Sequence, residues 1–555
     1  MTNQETEKIK VFALGGVGEV GKNMYVIETG SQIFIVDAGL MIPEDEMLGI
    51  DMVIPDISYL MDHKTKVKAI FITHGHEEHM GALTYILRKL EVPVFGTKFT
   101  LALLKEELEQ ANVRKSDLKE VDRTTILTFD EVKVSFFRTT HSIPDSVGIV
   151  FHTDQGAIVH SGDYKFDPTS IGVFSTDIDI MAQVGSEGVL CLLSDSMNAE
   201  KPGHTGSENQ VGQEFSDAFY NIEGRIIVVT YATNIQRLQS IFLAANESGR
   251  KVGIVGQKMT RVVEIAKGLG YLTIPEDTLV SYNEIMQLPS NQVVMITTNH
   301  QGEPVAALSK IAKGTHKQIQ VSQGDTFIFA AASSPGTEIS ISKSVDLLYR
   351  AGANVISGGS KRFHASGHGS QEDIKMMLHL MKPKYIVPIH GEYRMQKAHA
   401  KIAKSMGMQD DQIIILEKGE VIEFTDQKAS YGSKVYAGNV LIDGLGIGDV
   451  GNIVLRDRRL LSQDGILVIV VTLSKDRNEI VAGPEIISRG FVYVRESEQL
   501  LIDATGIVKD ILDKCIKDQI MDWSTLKLSI RDSLNQYLYE KTKRRPMILP
   551  IIMEA

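Results

Sequence analysis

The segment Thr73-His74-Gly75-His76-Glu77-Glu78-His79 constrains this chain more than any other. An apolar run, KAIFIT, leads into it, and a helical pattern, GALTYILRKL, leads out. A loop leaving a strand end is exposed yet held by a rigid sheet. A lone histidine is more often structural, but three at H-x-H-x-x-H spacing in such a loop point to a metal. Imidazoles and carboxylates without thiolates suit zinc or manganese, with magnesium a third option. Gly75 lets two imidazoles approach one ion without backbone crowding.

Further candidate ligands sit at later strand ends: His141 in TTHSIPD, Asp163 in HSGDYKFD and His390 in PIHGE. An aspartate between two ions can bridge them. Ions about 3.5–4 Å apart activate water and steady the oxygens of an in-line phosphoryl displacement.

Around this cluster the pattern is α/β. KVFAL, NMYVIET and QIFIVDAG read as successive strands, followed by KVSFFRTTH and GAIVHSGD. From Glu208 to Ser366 the runs RIIVVTY, KVGIVG, QVVMITT and DTFIFAA alternate with helical patterns, as in an inserted domain with a parallel sheet. A last block mixes strands such as GILVIVV with a helical stretch around Ile507 to Gln519. Its end, KTKRRPMILPIIMEA, joins a basic cluster to an apolar tail, and the cluster reads as a solvated turn. Gly16, Gly18 and Gly21 match a dinucleotide fingerprint, but that motif needs a helix after it and NMYVIET reads as a strand. The glycines therefore predict a tight hairpin.

With 555 residues the chain is long enough for about two to four domains. Two cysteines, Cys191 and Cys515, cannot build a disulfide framework and suit a reducing cytoplasm. The polar start MTNQETEKIK lacks a signal-peptide core, and the longest apolar run, Ile466 to Val471, is too short for a bilayer and reads as a buried strand. A net charge of −12 argues against a general nucleic-acid coat protein, although an enzyme can meet phosphate locally with metals and a basic channel.

HGHEEHMG, TTHSIPDS, SGDYKFD, SDS, SGHG and PIHGE occur in the order found in metallo-β-lactamase nucleases with a β-CASP insert. The chain resembles bacterial ribonuclease J over essentially its whole length, including ALGGVGEVGKN at the start and EKTKRRPMILPIIME at the end. Its length and substitutions are most similar to the second ribonuclease J paralogue of Gram-positive bacteria. The resemblance implies an αββα metallo-β-lactamase sandwich at 1–207 and 367–450, a β-CASP α/β insert at 208–366, a linker at 451–465 and an α+β oligomerisation domain at 466–555.

It also implies roles. His74, His76 and His141 would hold one metal, Glu78, His79 and His390 the other, with Asp163 bridging. Asp195 would be the acidic residue of the insert family's first motif, and His368 would protonate the leaving oxygen. His364, Ser366, Gly367 and His368 would line a pocket for the terminal nucleotide and its phosphate, with Gly367 and Gly369 leaving backbone amides open to an anion. The implied activity is 5′-to-3′ exonuclease and endonuclease cleavage of RNA, preferentially 5′-monophosphorylated, in rRNA maturation and mRNA decay. The implied partners are itself, a ribonuclease J paralogue and other RNA-decay proteins, with no membrane.

The chain departs from the family at Glu78, where the family has aspartate. The extra methylene moves the carboxylate by roughly 1.5 Å, and sites need about 0.5 Å precision. Thr298-Asn299-His300-Gln301-Gly302-Glu303-Pro304 stands for Thr-Gly-Ser-Gln-Gly-Glu-Pro, and Ser333-Ser334-Pro335-Gly336-Thr337 for Pro-x-Pro-Gly-Asn. These changes predict a weakened site in an intact fold. The alternative is a largely non-catalytic RNA-binding subunit of an active paralogue. A lactonase or thioesterase would have no use for the large insert.

Overall fold

The computed structural model describes the chain except residues 1–7, 45, 114–115, 131, 299–303, 332–336, 358–362, 475–476, 478, 494–496 and 521. Asn299 and His300 therefore lie outside the described residues, as do residues 333–336. The chain divides into two units, Met1–Met41 with Ile54–Asn439, and Ile42–Val53 with Val440–Ala555.

In the first unit two sheets face each other. One has eight strands, with Met24–Thr29, Gln32–Val36 and Val67–Phe71 at its centre. The other has six, in the order Tyr385–Ile389, Val189–Asp195, Gly156–His160, Val147–Thr153, Val132–Arg138 and Ile126–Phe129. Alternate residues of each strand point inward, so Ile27, Phe34, Phe71, Phe136, Phe151 and Leu193 form one core between the sheets. Helices Ile178–Glu187, Gln371–Met381 and Tyr393–Ser405 cover the outer face of the six-stranded sheet through Met181, Val184, Met377 and Ile402. This is the αββα sandwich that the resemblance implies.

The glycines at 16, 18 and 21 all have positive φ, and the chain returns through them into Met24–Thr29 as a strand. Gly16 cannot carry a side chain, because a Cβ there would lie 2.4 Å from the Tyr25 hydroxyl. GALTYILRKL is less helical than its pattern predicts. The structure has only the short helices Glu77–Met80 and Leu83–Ile86. Gly81 ends the first, pressed so closely against Leu40 that a Cβ would meet its Cδ2 at 2.5 Å.

The insert has its own six-stranded sheet, parallel throughout, in the order Leu279–Val280, Lys251–Val255, Val293–Thr297, Ile226–Val229, Thr326–Phe329 and Asn354–Ile356. It touches the sandwich away from its chain connections. Lys258 Nζ lies 2.7 Å from Glu77 and 2.8 Å from Glu107, and Arg261 pairs with Glu106 at 3.0 Å. Nearby, the Asp145 carboxylate accepts from Thr97 Oγ1 (2.8 Å), Phe99 N (3.0 Å) and the Tyr271 hydroxyl (3.1 Å). Asp145 thus caps the helix Lys98–Gln110 and ties it to the insert.

In the second unit the central strand Ile466–Ser474 pairs antiparallel with Glu479–Arg489 and parallel with Met547–Glu554. Helices Glu498–Lys517 and Trp523–Thr542 cover one face through Leu467, Ile469, Val508, Leu512, Ile530 and Leu534. The GILVIVV run is therefore buried on one side only. Val468 and Val470 are half-buried on the other, beside exposed Leu549, Ile551 and Met553. Residues 452–464, within the stretch expected to be a linker, form a helix. The basic cluster closes the helix Trp523–Thr542. Lys543 takes the left-handed conformation, and the Arg545 guanidinium lies over the Tyr539 ring at 4.5 Å.

Burial raises the Asp145 carboxyl to about 6 despite its three donors. A carboxyl raised in this way holds its proton more tightly folded than unfolded. The resulting stability is present below the ordinary carboxylate value and is lost as pH rises through about 6. Asp145→Asn keeps an acceptor and removes the charge. Calorimetry should show the variant more stable than the parent by on the order of 1–3 kcal/mol at pH 8. The difference should vanish near pH 4, and a difference that did not change with pH would contradict this account.

Candidate metal centre

The strand ends of both sheets converge at one edge of the sandwich. His74, His76 and His79 follow Val67–Phe71, His141 follows Val132–Arg138, Asp163 follows Gly156–His160, and His390 follows Tyr385–Ile389. Asp195 is the last residue of its strand, and His368 lies before the helix Gln371–Met381. Three groups of ligand atoms come together: His74, His76 and His141; His74, His79 and Asp163; and Asp163, Asp195, His368 and His390.

Asp163 is the centre. Its Oδ1 lies 2.8 Å from His390 Nδ1. Its Oδ2 faces His79 Nε2 at 3.2 Å, His74 Nε2 at 3.6 Å, His141 Nε2 at 3.7 Å and His368 Nδ1 at 3.8 Å. Yet Oδ2 is buried and accepts no hydrogen bond, and His390 Nε2 is likewise buried without a partner. A buried carboxylate oxygen left this way costs free energy unless a cation fills the gap. Burial opposes its charge, but His390, His79 and His368 hold the Asp163 carboxyl well below the usual range.

The imidazoles are set for the same purpose. His141 Nδ1 donates to Gly367 O at 2.8 Å, so Nε2 carries the lone pair. His79 Nδ1 binds the Asp37 carboxylate at 2.7 Å, which frees its Nε2. Burial keeps His74 and His141 neutral, well below the ordinary histidine value. His76 Nδ1 lies 3.0 Å from His74 Nε2 and 3.2 Å from His141 Nε2. Nitrogens around a tetrahedral zinc at 2.0–2.1 Å stand about 3.3 Å apart, so the donor set fits the ion. Burial opposes a second proton on His79, but Asp163 and Asp37 raise its pKa well above the ordinary value. A divalent ion would displace that proton.

Several neighbours have no signal in the sequence beyond being polar residues after a strand. Asp37, at φ 63°, accepts from Thr73 N at 2.8 Å and orients His79. Asn23 donates to the Glu78 carbonyl at 3.0 Å and lies 3.3 Å from His79 Nε2. A Cβ on Gly39 would sit 1.7 Å from the Glu78 carbonyl, so the metal loop can lie here only against glycine. His390 has φ 46° and is held by its own N–H on Gly16 O at 2.8 Å. The space around Gly75 is taken by Leu103, 2.9 Å from where a Cβ would be, so this glycine seats the loop on a helix.

Glu78 is absent from the three ligand groups formed by the described residues. Burial works against its charge, while His76, His79 and His390 pull its pKa below the usual value. His368 Nδ1 lies 2.8 Å from Asp195 Oδ2. Burial is outweighed there by Asp195 and Asp163, which raise His368 to about 9. Ser366 Oγ accepts from Asn198 Nδ2 at 2.8 Å and from His368 N at 3.2 Å. Gly367 and Gly369 are close-packing positions: a Cβ would meet the His141 ring at 2.6 Å and Asp373 Cβ at 2.8 Å. His364 lies against Arg237.

Four family models match the chain: Metallo-beta-lactamase superfamily over residues 17–182, Ribonuclease J, beta-CASP domain over 223–348, Zn-dependent metallo-hydrolase RNA specificity domain over 356–415, and Ribonuclease J C-terminal domain over 453–555. The chain is 55% identical to Ribonuclease J2 of Bacillus subtilis (strain 168), covering 100% of both chains. It is 47% identical to Ribonuclease J 2 of Staphylococcus aureus (strain NCTC 8325 / PS 47), again covering 100% of both. The crystal structure of a protein of unknown function from Enterococcus faecalis V583 shares the fold, with a TM-score of 0.54 at 14% identity over 75% of this chain and 100% of that one.

Asp37 touches no proposed reacting atom, so its part is to aim His79. Partners of this kind are worth about 10–100-fold in metal affinity. Asp37→Asn is expected to weaken zinc binding by about tenfold in competition with a chelating dye, with unfolding in EDTA little changed. Unaltered zinc affinity would remove Asp37 from the centre.

Proposed function

Because the chain belongs to the ribonuclease J family of metal-dependent hydrolases, we propose that it cleaves RNA by 5′-to-3′ exonuclease and endonuclease action with weakened intrinsic activity. The observation carrying this reading is the buried, unpartnered Asp163 oxygen among four imidazoles, beside the Asp195–His368 pair. His74, His76 and His141 would hold one ion, His79 and His390 the second, and Asp163 would bridge. Two divalent ions, zinc or manganese, would neutralise phosphate charge and acidify the attacking water.

The chain's own residues do the rest. Asp195 holds the His368 proton at pH 7, and the other ring nitrogen is free to hand a proton to the leaving oxygen. Ser366 and His364 lie beside His368 along the same loop, where a terminal nucleotide with its 5′ monophosphate would seat. Glu78 reaches the second ion poorly, and that limits the rate. Substrates of this kind arise in rRNA maturation and mRNA decay. Two free, buried cysteines suit the cytoplasm. No helix among the described residues is long and apolar enough to cross a membrane.

A second reading, a subunit that works chiefly by assembling with a paralogue, draws on the half-open sheet face of the second unit. Val468, Val470, Leu549, Ile551 and Met553 present an apolar surface there that suits a related chain.

His76→Ala should cost more than a hundredfold in cleavage of 5′-monophosphorylated RNA, beyond the roughly 10–100-fold typical of a supporting residue. Circular dichroism should be unchanged, and wild-type cleavage would refute the assignment. Metal titration with product sizing separates mononucleotides, the exonuclease signature, from discrete fragments. Glu78→Asp with Asn299→Gly, His300→Ser and Thr337→Asn should raise exonuclease activity manyfold. If the parent already matches a fully active homologue, the weakened-site reading fails. Leu549→Glu with Ile551→Glu should reduce assembly in sedimentation, and unchanged assembly would exclude that sheet face.

A further inference from the structure

Arg237 is fully buried, one turn into the helix Ile235–Glu247. Its Nη1 donates to Ala330 O at 2.8 Å and lies 3.1 Å from His364 Nδ1. Its Nη2 donates to Ala365 O at 3.2 Å and to the Glu208 carboxylate. The helix N-cap, Asn234, accepts from Arg237 N at 3.0 Å and so fixes where the side chain starts. Glu208 is itself held by its N–H on Asp167 at 3.3 Å.

This pair is a poor stabiliser. Arg237 Nε and Glu208 Oε2 are both buried with no partner, and desolvation of an incompletely satisfied pair can outweigh its attraction. What the guanidinium does achieve is directional. Arginine has only donors, so the contact with His364 requires Nδ1 to be the acceptor. The remaining proton of a neutral ring must then be on Nε2. A second proton is disfavoured, because burial and then Arg237, Lys201 and Lys165 hold His364 well below the ordinary histidine value. The ring is half-buried, and among the described residues Arg237 is its one hydrogen-bond partner.

We infer that Arg237 is a positioning residue that locks His364 as a neutral Nε2–H donor, aimed to bind an acceptor oxygen of the 5′-terminal nucleotide of RNA. This rests on the proposed seating of that nucleotide beside His364. Arg237 does not touch the substrate, since its hydrogen bonds go to Ala330, Ala365, Glu208 and His364. It sets which nitrogen of His364 carries the proton, and Glu208 sets Arg237. The insert's helix thereby determines the chemistry of a side chain in the loop that also carries His368.

Two measurements on the full-length protein test this. In the parent with 15N-labelled histidine, the resonances lost in His364→Gln should report a neutral ring protonated at Nε2. A ring protonated at Nδ1, or charged at pH 7, overturns the inference. The second measurement is affinity for a phosphorothioate-linked 5′-monophosphorylated RNA, read by fluorescence anisotropy. One lost hydrogen bond predicts about tenfold weaker binding for Arg237→Gln. Arg237→Lys, which keeps a donor and the charge facing Glu208, should recover part of that loss. The His364→Gln amide donates without help, so adding Arg237→Gln to it should cost less than about twofold more. Equal losses in both backgrounds overturn the inference. If Arg237→Gln does not fold, the parent tautomer and Arg237→Lys decide. If His364→Ala binds the RNA like the parent, the seating of the nucleotide is wrong, while the tautomer still decides the role of Arg237.

Discussion

The Asp163 carboxylate is the interaction on which the rest of the first unit depends. It lies at the edge where both sheets end, with one oxygen on His390 and the other facing four imidazoles without a hydrogen bond. A buried anion so placed cannot be satisfied by one element. It needs the loop after Val67–Phe71, the loops carrying His141 and His390, and the stretch carrying His368 to arrive together. The sandwich core brings those strand ends to one edge. Asp37 and the Gly367 carbonyl then turn His79 and His141 so that each presents Nε2 to the site.

Precision at this edge comes from glycine backbone in close contact with its neighbours. Gly39 lies against the Glu78 carbonyl, Gly16 under the Tyr25 hydroxyl, and Gly367 against the His141 ring. Each contact is too close for any Cβ. His390 and Asp37 also adopt positive φ, which residues other than glycine avoid unless their surroundings hold them there. The strand-end loops are thus seated by close contact and hydrogen bonds, and the electrostatics of Asp163 act on groups already in place.

Much of this was legible in the sequence because period and position carry it. Apolar runs such as IFIVDAG and KAIFIT announce strands, and ligands directly after them announce a site at the strand ends. His74, His76, His79, His141, Asp163 and His390 do come together, with Asp195 and His368 beside them. What stayed hidden depends on distant partners. Asp37 looks like any aspartate after a strand until His79 is folded onto it. Arg237 looks like an exposed helix position until Glu208 and His364 enclose it. GALTYILRKL has a helical period but forms helix only over Leu83–Ile86, after which the chain turns. GILVIVV reads as wholly buried, since an apolar run does not say whether one face or both are covered.

The departure at Glu78 shows why chemistry and fold can change separately here. The backbone at this position is indispensable: its carbonyl accepts from both Asn23 N and Asn23 Nδ2, and Gly39 packs on it. Its carboxylate, by contrast, lies outside the ligand groups formed by the described residues, and the contacts that seat the loop are made by the backbone. A longer acid can therefore replace a shorter one without disturbing the loop. His79, one residue on, has no such freedom, because its Nδ1 is held by Asp37 while its Nε2 must face Asp163. The loop thus contains one position held by its backbone beside one whose side chain is fixed by its surroundings.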